Sequence, residues 1–84
     1  MSDPVGWRCR RGLLELDLWL GGFWDTHRVT LNANEIVALE RLLALADMEI
    51  MDRLHGRLPA GDPDLEVLVQ RLQHYRVASL LESI

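Results

Sequence analysis

Apolar residues recur along most of this chain at helical spacing. Ile36, Leu39, Leu43 and Ala46 fall on one face, widened by Leu42. Leu65, Leu68, Val69 and Leu72 form a second stripe, and both predict amphipathic helices with one buried side. Each stripe carries a start signal. Asn32 with Glu35 is a capping box, and Leu31 and Ile36 are placed for a hydrophobic staple. Asp62-Pro63 is an N-cap followed by proline at the first helical position. Between them, Asp47 can cap a short helix through Met48, Ile50, Met51 and Leu54, closed by Gly56. Leu58-Pro59-Ala60-Gly61 reads as a loop, and the last helix extends through Tyr75 toward Leu80.

The segment from about residue 5 to residue 24 is ambiguous. Leu14, Leu16, Leu18 and Leu20 alternate with Glu15, Asp17 and Trp19, a period-two strand signal. Leu13, Leu16, Leu20 and Phe23 also make a helical face. Leucine favours helix, β-branched residues are scarce here, and no second strand exists for pairing. The segment is therefore expected to be helical, with Gly12 breaking a short first helix from a longer second one and Gly21-Gly22 ending the second. The sum is an all-α fold: a small single-domain bundle of about five helices. It occupies residues 1–84, with its core at about residues 6–81.

Composition supports this. The 84 residues suit one domain, and 49% apolar content supplies a core. The single cysteine, Cys9, permits no internal disulfide and fits a reducing compartment. No apolar run approaches the ~20 residues that span a bilayer. Met1-Ser2-Asp3-Pro4 leads into no signal-like segment, so a cytoplasmic location is expected. Net charge is −4. Arginines 8, 10, 11 and 28 balance the acids at 3, 15, 17 and 25, while residues 31–84 hold five arginines against nine acids. An acidic body repels phosphate backbones, which argues against nucleic-acid binding and against a helix-turn-helix DNA binder.

Chemistry-bearing motifs are few. No phosphate-loop or dinucleotide motif occurs, so no cofactor-binding residue is assigned. His27, His55 and His74 lack metal-ligand spacing, so no metal site is assigned. Ser79 and Ser83 have no base nearby, and no catalytic residue is assigned; the chain is not expected to be an enzyme. Cys9 beside Arg8, Arg10 and Arg11 could be a reactive thiolate, against the plainer reading of a small buried side chain. Trp7, Trp19, Phe23 and Trp24 either fill the core or anchor an interface. Arg11 and Glu15, four apart, suggest at most a weak surface ion pair in the less favourable order for a helix. That favours an interface role, and Gly12 between them lets another backbone approach.

The run Trp7-x-Cys9-Arg10-Arg11-Gly12-x-x-Glu15-Leu16-Asp17 resembles the signature of the SdhE-type flavinylation factors, also called succinate dehydrogenase assembly factor 2. Their mark, Arg-Gly-x-x-Glu, corresponds here to Arg11, Gly12 and Glu15. Phe23, Leu31 to Glu35, Arg41-Leu42-Leu43 and Asp64-Leu65-Glu66 extend the likeness, which runs from about Trp7 to Gln73. The tail from His74 onward matches nothing in the pattern, and Leu14 stands where a polar residue would be unremarkable. The resemblance implies a five-helix assembly chaperone that binds the flavoprotein subunit of succinate dehydrogenase, with fumarate reductase as a related client. It implies promotion of covalent FAD attachment to a client histidine, with no flavin kept by the factor and no membrane insertion. It also implies a partner-binding surface at Arg10, Arg11, Gly12, Glu15 and Asp17. A helical interaction module of antitoxin-like, regulatory type is the alternative.

Overall fold

The computed structural model describes residues 3–82 and contains five helices in the order α1 Pro4–Arg8, α2 Leu14–His27, α3 Ala33–Leu43, α4 Asp47–Leu54 and α5 Pro63–Glu82. The expectations placed on Met1, Ser2 and Ser83 concern positions outside the described residues. No strand occurs among the described residues, so the leucine alternation in the first quarter is helical. Leu16 and Leu20 turn into the core, while Leu14 and Leu18 stay exposed on the opposite face. A helix with leucine on both sides reads in sequence like a strand.

Local chemistry explains most boundaries. Asp3 caps α1 by accepting from the Gly6 amide at 3.1 Å, and Pro4 opens the helix. The other Asp3 oxygen accepts from the Trp24 indole at 2.9 Å, tying α1 to α2. The Asn32–Glu35 capping box is formed in both directions, at 2.8 and 3.0 Å. Asp62 caps α5 through the Leu65 amide at 3.0 Å. Gly56, at φ +78°, follows the end of α4 in the left-handed region as expected.

Two boundaries differ from expectation. Gly21-Gly22 does not end α2, which continues five residues further to His27. The reason is packing: a Cβ on Gly22 would stand 3.2 Å from Tyr75 Cζ and closer still to its hydroxyl. Glycine there lets α5 lie against α2. Asp47 is not the cap of α4 either. Ala46 occupies that position, and the Asp47 carboxylate is taken by Arg11.

The core draws on every helix except α1. Leu16, Leu20, Phe23, Leu39, Leu42, Ile50, Leu54, Leu68 and Leu72 are fully or almost fully buried, each worth ~1.5–3 kcal/mol of transfer free energy. Helix α5 forms the spine against which α3, α2 and α4 pack. Trp19 and Trp24 are core, and the Trp19 indole donates to the Leu72 carbonyl at 2.8 Å. Ala46, expected on the α3 face, lies beyond the end of that helix and is exposed, while Ala38 is buried.

Candidate functional site

The loop between α1 and α2 holds the signature residues, and the fold treats them differently. Gly12 sits at φ +88°, exposed, with nothing within 4 Å of where a Cβ would project. The left-handed conformation requires glycine or a strained substitute. It turns the chain into α2 and leaves an uncovered stretch of backbone.

Arg11 points inward. Its side chain is only 18% exposed. Nε donates to Asp47 Oδ1 at 2.7 Å, Nη1 to the Leu43 carbonyl at 2.8 Å, and Nη2 to the Leu45 carbonyl at 2.9 Å. Nη1 also reaches the Arg8 carbonyl at 3.2 Å. The guanidinium thus closes the end of α3, the start of α4 and the end of α1 at one point. Its planar fork can serve several acceptors at once, which an ammonium cannot. The Arg11 amide donates to Asp17 Oδ1, so Asp17 holds the same loop from α2. Arg11 and Glu15 do not pair, because Arg11 lies outside the helix and the i, i+4 geometry never forms.

Glu15 lies at the surface in the first turn of α2. One oxygen accepts from Arg76 at 2.8 Å and the other stands 3.4 Å from His55 Nε2. Hydrogen bonding from His55, with Arg76 beside it, holds the carboxyl below its ordinary range. Arg76 also lies over the Trp19 ring, 4.4 Å from its centroid, and His55 meets that ring edge-on at 5.4 Å. Glu15 therefore joins α2 to the end of α4 and to α5 while remaining open to solvent on one side.

Around this loop the surface is apolar. Trp7 is 71% exposed, Leu14 73% and Leu18 65%. Arg10 is exposed, with its guanidinium 5.9 Å from the Trp7 ring. Two shallow grooves flank Leu18. One runs past Trp7, Arg10, Asp17 and Gly21; the other is lined by Leu14, Glu15, Trp19, Arg76 and Leu80. Exposed leucines in a row beside such grooves are the kind of surface that partner proteins cover.

Cys9 is fully buried. Burial pushes its thiol up to about 11, with the Asp3 charge adding to this and Arg11 and Arg8 opposing it. Of the two readings of Cys9, the plain buried side chain holds and the reactive thiolate does not, because desolvation dominates over the nearby arginines. No group of histidine, cysteine and acidic side chains suited to a metal occurs among the described residues. His27 packs against Phe23 and Tyr75 instead. Among the described residues no helix is long and apolar enough to cross a membrane.

The structure thus separates the five expected contact residues. Arg10 and Gly12 are exposed and Glu15 is half-exposed, whereas Arg11 holds the loop against α3 and α4 and Asp17 holds it from α2. Sequence reasoning missed Asp47, His55 and Arg76, which lie 36, 40 and 61 positions from their partners. It also left aside Leu14 and Leu18. An exposed leucine pair within a helix that already has a complete apolar face was the available signal.

Comparison with known proteins agrees with the signature. A family model described as "Flavinator of succinate dehydrogenase" matches residues 5–76. The chain is 35% identical to the FAD assembly factor SdhE of Ralstonia nicotianae, over 99% of this chain and 87% of that protein. It is 31% identical to the Coxiella burnetii factor of the same name, over 86% and 88%. It is 34% identical to that of Acetobacter pasteurianus, of which it spans 57%. No solved structure matches the chain. A match over this length, on a five-helix chain that carries Arg11, Gly12 and Glu15 in the signature spacing, means that the chain belongs to the family of succinate dehydrogenase flavinators.

Proposed function

We propose that this chain is an assembly chaperone that docks on the flavoprotein subunit of succinate dehydrogenase and promotes covalent attachment of FAD to it. Fumarate reductase is a related client. Family membership supports the reading, and the observation that carries it in the structure is the exposed left-handed Gly12 between an anchored Arg11 and a half-exposed Glu15.

Attachment requires a client histidine held against the flavin, and that chemistry belongs to the flavin and the client. A helper contributes by holding the client in the reactive arrangement, since orientation alone lowers the barrier. In this reading the Gly12 backbone admits close approach, Glu15 and Arg10 give polar contacts, and Trp7, Leu14 and Leu18 supply the apolar area. The chain makes no bond, keeps no flavin and releases the client afterwards.

The test is in-gel flavin fluorescence of the succinate dehydrogenase flavoprotein, expressed in cells lacking their own factor. Wild-type chain restores the signal. Gly12→Arg and Glu15→Ala lower it while circular dichroism stays helical. Full fluorescence with both variants would defeat the assignment of the surface.

A further inference from the structure

On the reading above, the docking loop must be presented in one conformation, and the structure shows what holds it. From the network at Arg11 we infer that Asp47, far from the signature in sequence, is a positioning residue for client docking, acting through the Arg11 guanidinium.

Residues 9–13 lie between two helices without regular structure. Cys9 anchors the loop at one end by burial. At the other, α2 begins at Leu14 with Leu13 as its cap residue and no side-chain cap. Between them the loop is held by Arg11: its amide by Asp17, and its side chain by Asp47 and the carbonyls of Leu43, Leu45 and Arg8. Asp47 is the one anion in that set that meets the guanidinium. Neutralising it leaves a largely covered cation with carbonyl partners only, and part-buried charge without its counter-ion is costly. Arg11 then swings toward water, and the Gly12 turn loses its fixed geometry. A loop that spends only a fraction of its time in the docking conformation binds its client more weakly by that fraction.

A direct contact role for Arg11 predicts something else. Its charge would then matter to the client, and Asp47, engaged on the far side of the guanidinium, would not be needed for affinity.

The experiment uses the intact chain with Asp47→Asn, and Glu49→Gln as the control. Both acids lie in the first turn of α4, so both changes remove a favourable charge at that helix end. Glu49 pairs with Arg53 instead of Arg11. Two readouts are taken: the concentration of chain giving half-maximal flavinylation of purified apo-flavoprotein supplied with FAD, and hydrogen exchange at the Arg11 amide. Asp47→Asn is expected to raise the half-saturating concentration about tenfold with the plateau retained, and to speed Arg11 exchange by a similar factor. Glu49→Gln leaves both at the wild-type value. Wild-type half-saturation or unchanged Arg11 exchange in Asp47→Asn overturns the inference, as does an equal effect of Glu49→Gln. If wild-type chain raises flavinylation at no concentration, the proposed function itself fails, and Arg11 exchange still decides whether Asp47 holds the loop.

Discussion

Replacing each of two adjacent glycines with alanine should change stability in opposite directions. Gly21 and Gly22 both lie in the interior of α2, and neither has positive φ. Alanine in a helix interior is favoured over glycine by ~0.5–1 kcal/mol. At Gly21 an added Cβ meets nothing within 4 Å, so Gly21→Ala should stabilise by ~0.5–1 kcal/mol. At Gly22 the Cβ would lie 3.2 Å from Tyr75 Cζ, with the hydroxyl nearer. The ring cannot bend away; it must swing. Doing so disturbs its edge-on packing with Phe23 at 5.9 Å and His27 at 6.0 Å. Overpacking of this kind costs ~1–3 kcal/mol. Set against the propensity gain, Gly22→Ala should be net destabilising by ~0.5–2 kcal/mol. Urea unfolding followed by tryptophan fluorescence reads the difference, which should reach ~1–3 kcal/mol between the variants with similar m-values. Tyr75→Phe removes the atom in closest conflict. It should therefore recover part of the loss in the Gly22→Ala background, as a double-mutant coupling. Equal stabilisation by both alanines would refute the close α2–α5 approach and the explanation of why α2 runs through the glycine pair.

Three other outcomes follow from individual groups. Native chain should resist iodoacetamide at pH 8 and react at Cys9 only once unfolded, because the thiol is buried and raised to about 11; rapid native labelling would contradict this. Asn32→Ala should destabilise the fold by ~1 kcal/mol in the same urea assay, since the side-chain arm of the α3 capping box, from the Glu35 amide to Asn32 Oδ1, is lost. The Glu15 carboxyl should titrate below its ordinary 4.5 by NMR, through the His55 hydrogen bond first and then Arg76. Because its folded pKa is depressed, the Glu15 contribution is present above the unfolded value and fades as pH falls through the folded one. Arg76→Met should move the titration upward, and an unshifted midpoint in that variant would argue against the pair.

The parts of this fold that were legible in sequence are those set by neighbours in the chain. The Asn32–Glu35 box, the Asp62-Pro63 start and Gly56 act within a single turn, and they appear where the sequence puts them. The core stripes of α3 and α5 follow from periodicity, and most of their members are buried. What failed depends on residues far away. Gly22 sits inside a helix because Tyr75 needs the space, 53 positions on. Asp47 gives up capping because Arg11 reaches it from α1's end. The signature showed Arg11, Gly12 and Glu15 as a unit, but spacing alone could not reveal that Arg11 faces the fold while Gly12 faces solvent. A cation among leucines is ambiguous until its acceptors are known, and here three of them are backbone carbonyls with no mark in the sequence.

The central claim is that this chain drives flavin attachment by docking, with Gly12 at the contact. Purified apo-flavoprotein of succinate dehydrogenase, free FAD and this chain can be combined and the mass of the denatured flavoprotein followed over time. The account predicts that covalently bound FAD accumulates faster with wild-type chain and that Gly12→Arg abolishes the acceleration while remaining folded. Accumulation at the same rate with and without the chain would contradict it.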